Sequence, residues 1–348
     1  MAFLTVCLNP AIQKTLRFPS IISGTVNRTA SHRLDASGKG INVTRVLTQL
    51  GKKAVHLTQL GGDMKPLFLS LCEQDGLSIE WAESPGNIRF CYTLLTEKDG
   101  AVTELVEESQ PAAPETEKSL IKKFDTLLDD NNPLYRANPV AENFSQHAQL
   151  KQCAPHCLII SGTKAAGFSD KIFPYMAGKA KEKGMIVILD IRGNDLLNCL
   201  NYEPDIIKPN LFEFASTFTP ELIKDNDIFF DDSVKRRIER AMMEITQKYK
   251  SKIILTNGSR KIIAADREKF FEIDVQPVKT VNSIGCGDAF TAGFASALEN
   301  SMSIRETARC YSAHTAFAAH STGFEEAINE GIRCGALNAG LEKPGVIR

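Results

Sequence analysis

Short apolar runs separated by longer stretches of helical periodicity set the main limit on what this chain can fold into. The runs cover residues 3–8, 54–60, 157–161, 186–190, 206–208 and 252–256, each followed by a polar or glycine-containing turn. Strands buried on both faces of a parallel sheet read this way. Between them, apolar residues recur at helical spacing over 40–50, 171–183, 233–249, 288–299 and 304–319. Strands alternating with such helices build βαβ units, so the expected class is α/β, a largely parallel sheet flanked by helices. Two segments, 12–34 and 87–106, are extended and alternating instead, the second turning at Lys98-Asp99-Gly100, and together they suit a small second sheet. The stretch 129–152, rich in Asn, Pro and Gln without periodicity, reads as an insertion or loop.

Composition narrows the partners. A formal net charge of −1, from 41 basic and 42 acidic residues, gives no bulk attraction to nucleic acid or to an anionic membrane, and neither is expected. Met1 to Pro10 lacks a basic flank and a long apolar core, so it reads as a strand rather than a targeting segment. No run reaches the roughly 18 apolar residues of a membrane span. Nine cysteines scattered along the chain fit reduced thiols and a cytoplasmic setting better than disulfides.

Four groups of residues carry chemistry. Gly285-Cys286-Gly287-Asp288 opens a helical pattern of small residues. Glycines there let unpaired N–H groups approach an anion at a helix start, and Asp288 beside them could take a proton from an attacking hydroxyl. An ordinary helix start has the same spacing. Gly38-Lys39-Gly40 also precedes a helix, without the Walker A spacing, and puts an ammonium where it could neutralise phosphate or simply be solvated. Asn210 and Glu213 lie three apart after Lys208-Pro209. That spacing can organise hydrated Mg²⁺, and equally forms a capping box. Thr256-Asn257-Gly258 ends a strand, where nucleotides lie in parallel sheets or where a hairpin merely turns.

Taken in order, these groups resemble the PfkB (ribokinase-like) family of carbohydrate kinases, especially its phosphosugar branch of 1-phosphofructokinases and tagatose-6-phosphate kinases. The resemblance also rests on Thr5 to Ala11, Val26-Asn27-Arg28, Asn42-Val43 with Arg45-Val46-Leu47, Arg89, Ser161-Gly162 and Asp190, and it spans nearly the whole chain. It implies one kinase domain over 1–348 with a doubly wound core and a small β lid formed by the two extended segments. Asp288 would be the base, with the N–H groups of Gly285, Cys286 and Gly287 stabilising the transferred phosphoryl group. Lys39 and Arg89, with Arg28 from the lid, would grip the phosphate already on the sugar, beside Gln13, Gly38, Gly40 and Asn42. Lys208, Thr256, Asn257 and Gly258 would bind ATP, and Asn210 and Glu213 would hold Mg²⁺ through water.

The implied reaction is ATP-dependent phosphorylation of a ketohexose phosphate, most like fructose 1-phosphate to fructose 1,6-bisphosphate. Tagatose-6-phosphate kinase or 6-phosphofructokinase activity is the nearest alternative, and a non-catalytic sugar-phosphate or nucleotide binder is the alternative of another class. A homodimer paired through lid edges fits the same likeness. Departures from the family pattern are Gln13 where the branch usually has Asp, Lys164 after Ser161-Gly162-Thr163, Lys261 in place of a second nucleotide-side glycine, and Asn282-Ser283 ahead of the catalytic glycines.

Overall fold

The computed structural model describes residues 2–129, 156–225, 227–309 and 321–347. In chain order its strands are β1 (Ala2–Val6), β2 (Ala11–Phe18), β3 (His32–Ser37), β4 (Lys53–Gly61), β5 (Ser78–Ser84), β6 (Arg89–Thr96), β7 (Val102–Val106), β8 (Cys157–Ser161), β9 (Ile186–Asp190), β10 (Ile206–Ile207), β11 (Lys252–Leu255), β12 (Ile262–Ala265) and β13 (Phe270–Ile273). The helices are α1 (Lys39–Gln49), α2 (Lys65–Gln74), α3 (Pro114–Leu127), α4 (Ile172–Glu182), α5 (Gly193–Cys199), α6 (Leu211–Phe218), α7 (Asp232–Tyr249), α8 (Cys286–Arg309) and α9 (Ser321–Ala339).

The main sheet runs β13-β12-β11-β10-β9-β8-β1-β4-β5, parallel from β11 to β5, with β12 and β13 added antiparallel at one edge. Alternate strand residues feed two cores. Leu4, Leu57, Leu158 and Leu189 join a cluster with Phe124, Phe173 and Phe214, while Phe3, Ile159, Ile188 and Ile254 join one with Val43, Phe294 and Phe324. Helices α3, α4 and α6 thus cover one face and α1, α8 and α9 the other, which is why the strands are apolar throughout. Strand order reverses between β1 and β8, creating the switch-point crevice at the carboxyl ends where α/β sheets take ligands.

The second sheet expected from the two extended segments is present as β3-β2-β6-β7, joined to the crevice where β1 continues through Asn9-Pro10 into β2 and where β3 leads into α1; we refer to it as the lid, the role that the resemblance proposes for it. Its Ile12 and Ala36 pack with Phe68 of α2, fixing which face looks inward. Three strands of the main sheet lie outside the six predicted runs. β5 and β13 are sheet edges with little full burial, so their apolar signal is weak, and β12 follows β11 too closely to stand out. β10 is shorter than expected, and Lys208 lies beyond it. The predicted break between 299 and 304 is absent, since α8 continues through it to Arg309. The remainder of the 304–319 helix, and 130–152 of the insertion, fall outside the described residues. No helix among the described residues is long and apolar enough to cross a membrane.

Small residues bring α8 and α9 into close contact. A Cβ on Gly293 would lie 2.7 Å from Cys334 Sγ and 2.8 Å from the Glu330 carbonyl, and one on Gly331 would meet the Phe290 ring at 2.9 Å. Neither helix backbone can yield without moving the other. Gly293→Val is therefore expected to cost about 1–3 kcal/mol by overpacking. The shift in urea-denaturation midpoint at unchanged slope measures it.

Candidate active site

The crevice is lined first by backbone. Strand β1 runs into Cys7-Leu8-Asn9-Pro10, β8 into Ser161-Gly162, and the Gly38-Lys39-Gly40 turn seats α1 against both. A Cβ on Gly40 would lie 2.7 Å from the His56 ring and 2.8 Å from Cys7 Cβ, so only glycine lets the helix start approach this closely. Gly38 adopts φ +116°. His56 below is a neutral wall. Burial pushes its imidazole down to about 3, and Nδ1 shares a hydrogen bond of 2.7 Å with Thr5 Oγ1.

Asp190, at the end of β9, gathers the cations. It is buried, and its Oδ2 accepts from Ser161 Oγ at 3.3 Å and Thr291 Oγ1 at 3.2 Å. Lys208 Nζ lies 3.3 Å from the same oxygen, and Lys39 Nζ lies 3.4 Å from Oδ1. Burial alone would raise this carboxyl, but Lys208 and Lys39 outweigh it and hold the group below the usual carboxylate range. Lys39 also reaches Glu213 Oε1 at 3.2 Å. Burial would lower its ammonium, yet Asp190, Glu213 and Asp288 raise it well above the ordinary lysine value, so it stays charged. Lys39 thus shares Asp190 with Lys208 and pairs with Glu213 in the first turn of α6.

Asn210 and Glu213 form the capping box of α6. Asn210 Oδ1 accepts from the Glu213 N–H at 2.7 Å, and Glu213 Oε2 accepts from the Asn210 N–H at 3.0 Å. Only Glu213 Oε1 is left facing the crevice, toward Lys39. No group of three or more acidic, histidine or cysteine side chains that could hold a metal occurs among the described residues. A cage of protein ligands does not fit, whereas a hydrated ion held by one carboxylate and by substrate phosphates does, which is Mg²⁺ chemistry. Thr256 pairs with Asn210 in a parallel bridge, and Gly258 turns the chain at φ +59°, so the predicted nucleotide residues share this edge.

Asp288 faces the same space from the first turn of α8 and is 6% exposed. Its Oδ2 accepts from Asn42 Nδ2 at 2.8 Å, while Oδ1 accepts from no described residue. Burial pushes its carboxyl up to about 6, against the pull of Lys39, with Asp190 adding repulsion. Gly285 turns at φ +83°, where a Cβ would lie 2.8 Å from the Gly345 nitrogen, and a Cβ on Gly287 would point into open space. The N–H of Cys286 is committed to the Ser283 carbonyl at 3.3 Å, and that of Ala289 to Gly285 at 2.8 Å. Among the described residues the free donors here are Gly285, Gly287 and Asp288, which replaces Cys286 in the predicted set.

The lid side divides the remaining predictions. Arg89 opens β6 and donates from Nη1 to the Glu107 carbonyl at 3.1 Å, while its buried Nε has no partner. It lines a polar pocket with Asn9, Gln59, Asn87 and Gln110, and Asn9 Oδ1 is also buried without a partner. Gln13 stands opposite Asp35 in β2–β3 and donates to Thr93 Oγ1. Arg28 is exposed in the loop joining β2 to β3, at the end of the strands remote from Ala11. Eight residues of β2 separate the two ends, roughly 23 Å at 3.3 Å per residue, so within one chain Arg28 does not reach the crevice. Lys164 pairs with Asp170 and Asp195 and lies 5.9 Å from the Phe173 ring centre, tying the β8–α4 loop to α5. Lys261 pairs across the β12–β13 hairpin with Glu272 and Asp274. The sequence reading gave no role to Ser161 and Thr291 as ligands of Asp190. Thr291 was findable, being one helical turn after Asp288.

Known proteins resemble this chain in sequence or in fold. Tagatose-6-phosphate kinase of Staphylococcus epidermidis is 28% identical over 297 residues, 85% of this chain and 84% of that protein. Phosphofructokinase-2 from Escherichia coli superposes with a TM-score of 0.74 at 19% identity, covering 98% of this chain and 93% of its own. Ribokinase from Thermotoga maritima does so at 0.65 and 16%, covering 99% and 94%. A family model described as pfkB family carbohydrate kinase matches residues 4–330, reaching from β1 past the proposed base and into α9. With the match running through both the lid and the Gly285–Asp288 turn, the chain belongs to the pfkB family of carbohydrate kinases, which transfer phosphoryl groups from ATP to sugars.

Proposed function

We propose that this kinase phosphorylates a hydroxyl of a ketohexose phosphate, with fructose 1-phosphate as the leading substrate. The observation that carries the chemistry is the half-held carboxylate of Asp288. Asn42 fixes one oxygen and leaves the other free beside unpaired N–H groups and the Lys39 ammonium. A sugar hydroxyl placed there gives its proton to Oδ1 as its oxygen attacks the γ-phosphorus of ATP, and the bond from that phosphorus to the β,γ-bridging oxygen breaks with ADP as the leaving group. The N–H groups of Gly285, Gly287 and Asp288, with Lys39, take up charge on the phosphoryl oxygens. Lys208, Thr256, Asn257 and Gly258 line the proposed nucleotide side. Mg²⁺, when bound, neutralises phosphate charge, and Glu213 Oε1 beside Asn210 would hold it through water.

A phosphorylated acceptor is supported by Arg89, which lines a pocket otherwise walled by neutral polar side chains such as Asn9, Gln59, Asn87 and Gln110. A guanidinium held in this way suits a phosphate dianion. Tagatose 6-phosphate is the second reading, favoured by the relative that matches over most of its length. Gln13, engaged with Thr93, contributes a neutral amide to the lid and makes the hydroxyl pattern a matter for measurement. ADP release with fructose 1-phosphate, fructose 6-phosphate, tagatose 6-phosphate and the free sugars separates these readings. Silence across that panel with ATP still bound would favour a non-catalytic binder. A dimer paired through the lid, which could bring Arg28 to a neighbour's crevice, is part of the same proposal and is read from sedimentation.

Asp288→Asn is expected to keep ATP binding and lower turnover at least about a hundredfold. Unchanged turnover in the folded variant removes Asp288 from the mechanism. A base must be ionised to accept a proton, so kcat/KM should be half lost near pH 6 and fall about tenfold per unit below it. A flat profile between pH 5 and 8 would contradict the role. Arg89→Ala should raise KM for the sugar phosphate at least about tenfold while leaving that for the free sugar nearly unchanged. Equal losses for both acceptors would place Arg89 outside phosphate recognition.

A further inference from the structure

Asn42 supports Asp288 only with its amide turned one way, Nδ2 toward the carboxylate and Oδ1 away. The two ends of an amide have nearly the same shape, so a neighbour must choose between them. Arg45, one turn further along α1, makes that choice. Its Nη1 donates to Asn42 Oδ1 at 2.8 Å and to the Pro344 carbonyl at 3.0 Å, and its Nη2 donates to the Ala36 carbonyl. Its Nε donates to Asp75 Oδ2 at 2.8 Å, and Lys343 pairs with Asp75 as well. Arg45 is 1% exposed, so this set of bonds is closed to solvent. Gly345 completes the packing, since a Cβ there would fall 2.7 Å from Asn42 Cα.

We infer that Arg45 is a positioning residue for phosphoryl transfer: clamped by Asp75 and the Pro344 carbonyl, it locks the Asn42 amide so that Asp288 is held by one oxygen and free at the other. The inference rests on the reading of Asp288 as the base. An aspartate in place of this fork would favour the reverse orientation, because it offers only acceptors to that end of the amide, and a water, which can donate or accept, would not choose between the two. The titratable groups that interact electrostatically with Asp288 are Lys39 on α1, Asp190 at the end of β9, Lys208 after β10, Cys7 after β1 and Cys286 on α8. None of them hydrogen-bonds Arg45, so its influence on the base runs through Asn42. Asn42's hydrogen bond favours the ionised carboxylate, and loosening it should move the base toward higher pH.

Arg45→Lys keeps a cation for Asp75 but loses the planar fork that spans Asn42, Ala36 and Pro344. In the full chain, kcat is expected to fall about tenfold with KM for ATP within about twofold, and the acid limb of kcat/KM should move to higher pH. In an Asn42→Ala background the same change should add less than about twofold, since the route to Asp288 is already cut. A folded Arg45→Lys enzyme with an unmoved acid limb, or full additivity with Asn42→Ala, overturns the inference. Asp75→Asn loosens Arg45 from its outer end and serves if Arg45→Lys does not fold; a shift in the same direction supports the clamp and an unmoved limb overturns it. Asp288→Asn run in parallel separates the two readings. If it retains turnover, the base assignment fails and this inference falls with it; if it is inactive while Arg45→Lys leaves the limb in place, only the clamp fails.

Discussion

A single buried carboxylate, Asp190, holds the crevice together. Its partners arrive from separate parts of the chain: Ser161 from β8, Lys208 beyond β10, Lys39 from α1 and Thr291 from α8. A charge buried to this degree is tolerable only when paired and hydrogen-bonded, so the site assembles as a unit or leaves ions stranded. The same pairing spreads the two acids apart. Asp190 is pulled down by the two lysines it contacts, while burial, with repulsion from Asp190, pushes Asp288 up to about 6 against the weaker pull of the same lysines. Unequal environments give one acid a structural task and leave the other able to exchange protons near neutrality.

Close packing supplies the second constraint. Gly40 brings α1 onto Cys7 and His56, Gly285 brings the α8 turn onto Pro344 and Gly345, and Gly345 brings the chain onto Asn42. Asn282 adds a bond from its Nδ2 to the Glu342 carbonyl at 2.9 Å. The residues after α9 therefore touch both parts of the proposed chemistry, the anion-binding turn and the support of the base. Lys343 extends the contact to Asp35 of the lid at 3.3 Å.

Most of the sheet could be read from the chain because central strands are apolar on both faces and end in distinctive turns. β5 and β13 escaped because an edge strand needs less burial, and β10 was over-read because Lys208 is buried by an ion pair that periodicity cannot see. Among site residues, the turn at Gly285 and the pair Asn210 and Glu213 were legible because backbone freedom and helix spacing are local. The pair is a capping box, and one glutamate oxygen accepts from Lys39. Lys39 and Arg45 were not legible in their actual settings, since their partners lie 151 and 30 positions away at the nearest acidic residues. Lys164 looked like an extra active-site cation but is neutralised by Asp170 and Asp195.

The switch point also bears on how the molecule is made. Strand β1 sits between β4 and β8, with Phe3 paired to Ala54 on one side and to Cys157 on the other. The first pairing closes early, but the second must wait until the whole second sheet, α2 and α3 have been synthesised. Until then the strand destined for the middle of the sheet is an edge with open N–H and C=O groups, and half of the ligand crevice has no wall. Long-range closure of this kind is slow, so the nascent chain spends its vulnerable interval with its central strand exposed.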